Sequence, residues 1–240
     1  LHLCDRRQRQ MCIRDSCNKD ELADIFAEGK YCIFTKGNRY IYGVGNFFIN
    51  LVDDNNKAVL PLVMLDSNMY GDGGWFYSGF DCIHKDQTEW CMNKLTSLKN
   101  EDENIKAMAF FHMPVREFKE AYERMKLGDN DVIYKHGSVG EKNDHFGISR
   151  FKGIFFNSAV DNGVIKWMFC GHDHLNTLSL VYKGIQLTYG MSIDYLGYKG
   201  IEKQYTQRGG TLITRKKDGS VSVKMVPLTS VVSTKVSGVK

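Results

Sequence analysis

Trp167–Asn176 reads WMFCGHDHLN. Its first half is apolar and strand-forming; its second half places two imidazoles and a carboxylate where that strand ends. Such groups are costly to bury without partners, so their delivery by a buried strand implies something that compensates them. A second stretch repeats the arrangement: Ile105–Phe111, IKAMAFF, is a short, almost continuous apolar strand running into His112 and Pro114. Open α/β sheets build their sites just past the carboxyl ends of strands, which predicts histidines gathered at one sheet edge. Residues two apart in extended chain project to the same side. His172 and His174 are therefore expected each to face one of two metal ions about 3.5–4 Å apart, with His112 converging from the other strand. Neutral imidazole suits zinc, iron, manganese or nickel. Gly171 is expected to give the backbone its turn between strand and ligands. The competing readings are ordinary ones: two satisfied surface histidines in a strand-to-loop turn, and for His112 a hydrogen-bonded core or rim residue.

Working outward, helices and strands alternate. Asn18–Gly29 reads as a helix with Asn18 as N-cap, Glu21 completing a capping box, and Leu22, Ile25 and Phe26 on one face. Arg39–Ser67 reads as two or three strands joined by the polar turn Asp53–Lys57, with Gly43 and Gly45 at a bulge or corner. Asp86–Lys99 is a second helix, with Asp86 and Glu89 spaced as a capping box and Cys91, Leu95 and Leu98 on one face. Phe118, Ala121, Tyr122 and Met125 share a third helix face. Gly128–Gly147 reads as a polar loop, and Ser149–Asn162 as a helix stopping at Gly163. The segment 209–228 is a hairpin turning at Asp218-Gly219, followed by a loose tail, 229–240. His84, His136 and His145 lack a strand-end setting and read as solvated. Asp66, after the apolar PLVML, also stands at a strand end, where it is a candidate site carboxylate, with turn capping the preferred reading. Interleaved helices, buried strands and hairpins give an α/β class.

The bounds agree with that class. The chain has 240 residues, 42% of them hydrophobic and 25% charged, with a net charge of +4. No basic run suggests a nucleic-acid footprint, and no apolar stretch approaches the roughly 18 residues that span a bilayer. Seven irregularly spaced cysteines contain no CxxC pair, which excludes a zinc ribbon or a dense disulfide framework. The first sixteen residues, LHLCDRRQRQMCIRDS, resemble a translated transposase-type sequencing adapter, read codon for codon over Arg6–Asp15. The other reading is a disordered basic arm. The adapter reading puts the authentic chain at Cys17 and predicts N-terminal truncation. The excluded stretch carries four arginines and two aspartates, leaving a net +2.

Several segments, in order, resemble the purple-acid-phosphatase-like branch of the calcineurin-like metallophosphoesterases. Residues 110–118, FFHMPVREF, are similar to that family's HIPLPEF-type segment, and FCGHDHLN to its FxGHDHxN segment. Residues 43–51, GVGNFFINL, resemble GVGNYxLxV, and 62–70, LVMLDSNMY, resemble LYFLDSGxY. Residues 80–95, FDCIHKDQTEWCMNKL, resemble YDxIxPDQxxWF, and 182–198, YKGIQLTYGMSIDYLGY, resemble xxGIxLxYGxSxGYxGY. Arg116 stands where the pattern has proline, and Asp194 where it has glycine. The resemblance implies a four-layer αββα sandwich, here its C-terminal part over residues 17–228, holding a dinuclear centre of iron, zinc or manganese. By position, His112 and His172 would bind one ion and His174 the other. Asn176 and Tyr189 fall where the family shapes the pocket rim and its supporting residues, while Asp173 reads either as a local turn hydrogen-bonder or as an orienting partner for a neighbouring ligand. The remaining family motifs, D-x-H, G-D-x-x-D/Y and G-N-H-D/E, do not occur in this sequence. The proton-donating histidine and the bridging carboxylate would therefore lie upstream. The implied activity is hydrolysis of a phosphorylated substrate, as a monoesterase, as a diesterase or nuclease, or in altered form as a non-catalytic metal-binding module.

Overall fold

A computed structural model of the chain describes residues 18–72, 78–194 and 208–231. The adapter-like stretch and tail residues 232–240 lie outside the described residues. In chain order the elements are α1 (Lys19–Ala27), β1 (Phe47–Val52), β2 (Ala58–Met64), β3 (Tyr70–Asp72), β4 (Ser78–Phe80) and α2 (Lys85–Glu101). There follow β5 (Ala107–Phe110), α3 (Glu117–Lys126), β6 (Val132–His136), α4 (Phe155–Asn162), β7 (Ile165–Cys170), β8 (Ser179–Tyr182), β9 (Ile185–Tyr189), β10 (Gly209–Arg215) and β11 (Val221–Pro227).

A seven-stranded mixed sheet, ordered β1-β2-β5-β7-β9-β8-β6, forms the centre. Its four middle strands, β2, β5, β7 and β9, are mutually parallel, so their carboxyl ends share one edge. One face buries Val63, Ala107, Ala109, Cys170, Leu180 and Leu187 against α2, α3 and α4. Those helices present Cys91, Leu95 and Leu98, then Phe118 and Ala121, then Phe155, Phe156 and Ala159. The opposite face presents Leu60, Met108 and Phe169 with Leu62, Phe110 and Trp167, onto which Ile213, Val221 and Val223 of the β10–β11 hairpin pack. Phe110 and Phe169 stack across the β5–β7 seam with ring centroids 4.9 Å apart. Helical layer, large sheet and a second β layer give a mixed α/β sandwich, which shows three of the four layers implied by the resemblance among the described residues, and no helix among them is long and apolar enough to cross a membrane.

Local chemistry explains most boundaries. Asn18 Oδ1 accepts the Glu21 N–H at 2.9 Å while Glu21 Oε2 accepts the Asn18 N–H at 2.8 Å, the reciprocal capping box read from sequence. The turn between β1 and β2 closes on Asp53 Oδ1, which accepts the Asn55 and Lys57 N–H groups. Asp66 caps its own turn, accepting from Asn68 N and reaching Val44 N.

Other expectations shift. The α2 cap lies at His84 and Gln87, not Asp86 and Glu89: the His84 N–H donates to Gln87 Oε1 at 2.8 Å. Gln87 is fully buried and also donates to Asn46 Oδ1 and the Asp66 carbonyl, which draws the helix start inward. Asp86 is left to accept the Tyr42 N–H at 2.7 Å. Ile25 and Phe26 are 59% and 56% exposed, so the α1 face buries little beyond Ala23. The stretch 128–147 contains β6, an edge strand with exposed Ile133 and Tyr134 that shows no alternation in sequence. The helix expected from Ser149 begins only at Phe155, because Ser149 Oγ turns the chain by accepting the Phe151 N–H.

Burial sets the expected cost of truncation. Leu95, completely buried between α2 and the sheet, should lose about 2–5 kcal/mol on Leu95→Ala. Exposed Ile25→Ala should change stability by about 0.5 kcal/mol or less. Urea unfolding of the two variants checks the contrast.

Candidate metal centre

The centre is assembled at the carboxyl edge of the parallel strands. β5 and β7 pair in register from Met108 and Trp167 to Phe110 and Phe169. The ladder continues past both strands: the Phe111 N–H donates to Phe169 O at 3.1 Å, and the Gly171 N–H to His112 O at 3.0 Å. Backbone pairing therefore carries both strands together into their histidines. The His112 and His172 rings lie 5.4 Å apart, edge to face at 84°. β2 contributes from the other side, because Ser67 Oγ accepts both the His112 N–H (3.1 Å) and the Met113 N–H (2.7 Å). The Phe80 ring stands edge-on to His172 at 4.6 Å, walling one side of the imidazole.

The turn after β7 differs from the extended segment anticipated. His172 has φ +69°, the left-handed region, which costs a side-chain-bearing residue about 1–2 kcal/mol. Gly171 does not carry the turn: its φ is not positive, and a Cβ there would meet His112 Nδ1 at an ordinary 3.5 Å. The Asp173 N–H folds back to Gly171 O at 2.9 Å. The two histidines are thus splayed by a turn and not aligned by a strand. Strain held on the residue that carries an imidazole is characteristic of functional positions.

His174 is oriented by a partner that sequence reading noted only as a departure from pattern. Its Nδ1 lies 2.7 Å from Asp194 Oδ2, just past β9. Asp194 is itself nearly buried, and its N–H donates to Ser192 Oγ. A carboxylate facing Nδ1 places the ring proton there and leaves the Nε2 lone pair for a ligand, the tautomer being assigned from this network. The signal available in the sequence was a carboxylate at the end of the strand that neighbours β7.

The three supporting candidates sit behind the histidines. Asp173 is 5% exposed and accepts the Gly147 N–H on both oxygens, at 3.0 and 3.1 Å, and the Tyr189 hydroxyl at 2.8 Å. Asn176 Oδ1 accepts the Gly140 and Glu141 N–H groups, and its amide donates to His145 O. Tyr189 and Asn176 are fully buried, so they brace the 137–147 loop and do not form a pocket rim. A Cβ at Gly147 would stand 2.2 Å from His172 Cδ2, so that loop is packed directly on the imidazole. His145 is exposed as expected. His136 is not solvated: both ring nitrogens are buried without a hydrogen-bond partner.

Electrostatics favours neutral rings. Burial, then the neighbouring His174 and His145, lowers the His172 pKa. Partial desolvation, then His172 and His174, lowers that of His112, although solvent reaching this exposed residue screens the effect. Burial raises the Asp173 carboxyl against the pull of Gly147 N–H and the Tyr189 hydroxyl. Two crowded imidazoles, His112 and His172, held towards the neutral form, and a third, His174, oriented by a carboxylate, could serve as metal ligands. These three do not close on one point, however: among the described residues, a trio of donor atoms all within 4.8 Å occurs at Asp81, Cys82 and His84 instead.

No protein-family model matches the chain. It is similar to three Arabidopsis thaliana proteins. Over 172 residues it is 29% identical to "Probable inactive purple acid phosphatase 29", covering 66% of this chain and 41% of that protein. It is 24% identical over 181 residues to "Probable inactive purple acid phosphatase 28", covering 68% and 40%. It is 23% identical over 150 residues to "Probable inactive purple acid phosphatase 14", covering 59% and 35%. The chain thus spans well under half the length of the curated relatives it matches.

Two outcomes follow from this geometry. The unfolded chain's histidines titrate near 6.5, whereas burial holds His112 and His172 lower in the folded metal-free chain. Above about pH 6.5 neither state holds the proton and the histidines contribute nothing. Below it the unfolded chain takes up protons that the folded chain resists, so stability falls as pH falls. Asp173, raised by burial, acts in the opposite sense nearer pH 4. Chemical denaturation of His172→Gln against the parent, with chelator present, should therefore show a flatter dependence between about pH 6.5 and 5. Second, Asp194→Ala should weaken metal binding about 10–100-fold with the fold retained, as read by titration calorimetry.

Proposed function

Starting from a purple-acid-phosphatase-like metallophosphoesterase chain, we propose that His112, His172 and His174 form the imidazole side of a dinuclear centre that hydrolyses phosphate esters, monoesters before diesters. The observation that carries the reading is the placement of three imidazoles at the ends of two adjacent parallel strands, with His174 Nδ1 held 2.7 Å from Asp194. His112 and His172 would hold one ion and His174 the other, the ions being iron, zinc or manganese. Such ions supply charge neutralisation for a phosphoryl group and a hydroxide nucleophile near neutral pH.

The chain's own residues set the stage for that chemistry. Asp194 keeps the His174 Nδ1 proton away from the ligand side. Ser67 holds the His112 backbone against β2. Phe80 and Gly147 exclude water from two sides of His172, keeping its ring unprotonated. Asp173 is turned to Tyr189 and Gly147, and Asp194 to His174 Nδ1, so neither carboxylate is offered as a bridge. On this reading a bridging group and a proton donor for the leaving oxygen would be supplied by residues other than these. A second reading, a metal-binding protein without turnover, is favoured by the word "inactive" in the names of all three relatives.

The 240-residue chain should bind zinc or manganese through these histidines yet hydrolyse an aryl monophosphate no faster than the metal-only blank. Turnover that disappears in His172→Ala would overturn that expectation. The genomic sequence upstream of the Cys17 codon separates the two readings. A continuous frame with D-x-H, G-D-x-x-D/Y and G-N-H-D/E supports the hydrolase, whose longer product should cleave the aryl monophosphate faster than the bis-aryl diester. A frame lacking those motifs supports the protein without turnover.

A further inference from the structure

The geometry points to a second, independent metal site: Asp81, Cys82 and His84, in the turn between β4 and α2, form a pre-arranged N/O/S set for one zinc-type divalent cation. Their donor atoms all lie within 4.8 Å of one another. The Asp81 side chain is 4% exposed, and both its oxygens face His84 Nε2, at 2.9 and 3.0 Å. One ring proton serves two acceptors there, and a cation in its place would serve both oxygens and the thiolate.

The turn is held in this shape partly through Asp81 itself, whose Oδ1 accepts the Cys82 N–H at 2.8 Å, and partly by contacts that leave the three donor atoms out. The Asp81 N–H donates to Met69 O at 3.2 Å, and Asn68 Nδ2 to Cys82 O at 3.2 Å. The His84 ring stacks on Tyr42, centroids 3.8 Å apart and planes within 9°, and Tyr42 is tied through its N–H to Asp86. The imidazole is therefore restrained before any ion arrives. A cavity of about 390 Å³, lined by Tyr42, Cys82, His84, Phe151 and Ile154 among others, opens beside the donors. It provides an access route and room for a water as fourth ligand, the layout of a three-ligand site with one open position.

The donor set selects the cation. Thiolate and imidazole exclude calcium and magnesium, which take oxygen, and favour zinc or cobalt. Zinc bonds of about 2.0–2.3 Å place tetrahedral donors roughly 3.3–3.8 Å apart. The His84–Asp81 pair would open by a few tenths of an ångström and the thiol would close towards it, within reach of side-chain rotation. Because Phe80 precedes Asp81 and packs on His172, an ion here would also stiffen the wall of the three-histidine cluster.

Cobalt(II) titration of the whole chain tests the site, because the three-histidine cluster offers no sulfur. A thiolate-to-cobalt charge-transfer band in the near ultraviolet, saturating at one equivalent and displaced by zinc, is expected. It should vanish in Cys82→Ser, persist in Cys32→Ser, and persist in His112→Ala/His172→Ala. Asp81→Asn and His84→Ala should each weaken cobalt binding by at least about 100-fold, more than loss of a supporting residue costs. Far-ultraviolet circular dichroism of each variant confirms folding, and Cys82→Ala replaces any serine variant that fails it. No band in the parent chain, or a band that survives loss of the Cys82 thiol, overturns the proposal. Neither result bears on the three-histidine centre.

Discussion

Everything at the candidate centre depends on the parallel pairing of β5 with β7, continued beyond the strands by two backbone hydrogen bonds. Phe111 to Phe169 and Gly171 to His112 are main-chain contacts, so they fix where two ligand-bearing turns start whatever the side chains do. The pairing is in turn secured from both faces: Ala107 and Ala109 are small enough to admit the helical layer closely, and Phe110 and Phe169 stack on the other side. A shift of one residue in this register would exchange the two faces of β7 and send His112 and His172 apart. The Ser67 clamp extends the same logic to β2, so three strand ends are tied before any ligand is considered.

Beyond that edge, polar burial replaces apolar packing as the organising force. Asp173, Tyr189 and Asn176 are buried polar groups with their hydrogen-bonding capacity turned onto one another and onto the main chain of the 137–147 loop. Leaving one of them unpaired would cost about 1–3 kcal/mol, so the loop is held against His172 by the penalty for releasing it. That network offsets the left-handed backbone at His172. The same loop ends a segment that includes His136, whose nitrogens have no partner. We have no physical account of that imidazole.

The two clusters illustrate different ways of gathering candidate ligands. The three histidines come from two separate strands, with Asp194 added from a third, and depend on the sheet. Asp81, Cys82 and His84 come from four consecutive positions and depend on a turn pinned by Asn68 and Tyr42. The first kind is visible in sequence as histidines after apolar strands. The second was hidden, because Asp81 and His84 sit next to a helix start where a cap is the ordinary reading.

How much was legible follows the same division. The order of elements, the strand-end histidines, the Asn18 capping box, the Asp66 turn and the buried face of α2 were all written locally, in residues close together in sequence, where periodicity and capping chemistry act. The α2 cap was misplaced because Gln87 answers to Asn46 and Asp66, more than twenty positions away. β6 was missed because an edge strand exposed on most of its residues carries no alternating pattern. The Asp194 carboxylate, the strain at His172 and the inward turn of Tyr189 are likewise settled by partners from other strands. Sequence alone therefore determined most of the helices and strands and the strand-end histidines as candidate ligands, since those choices are made by short-range chemistry. Tertiary structure decided which of them meet and which nitrogen faces outward, because hydrogen bonds and packing between distant segments form only when the sheet brings them together.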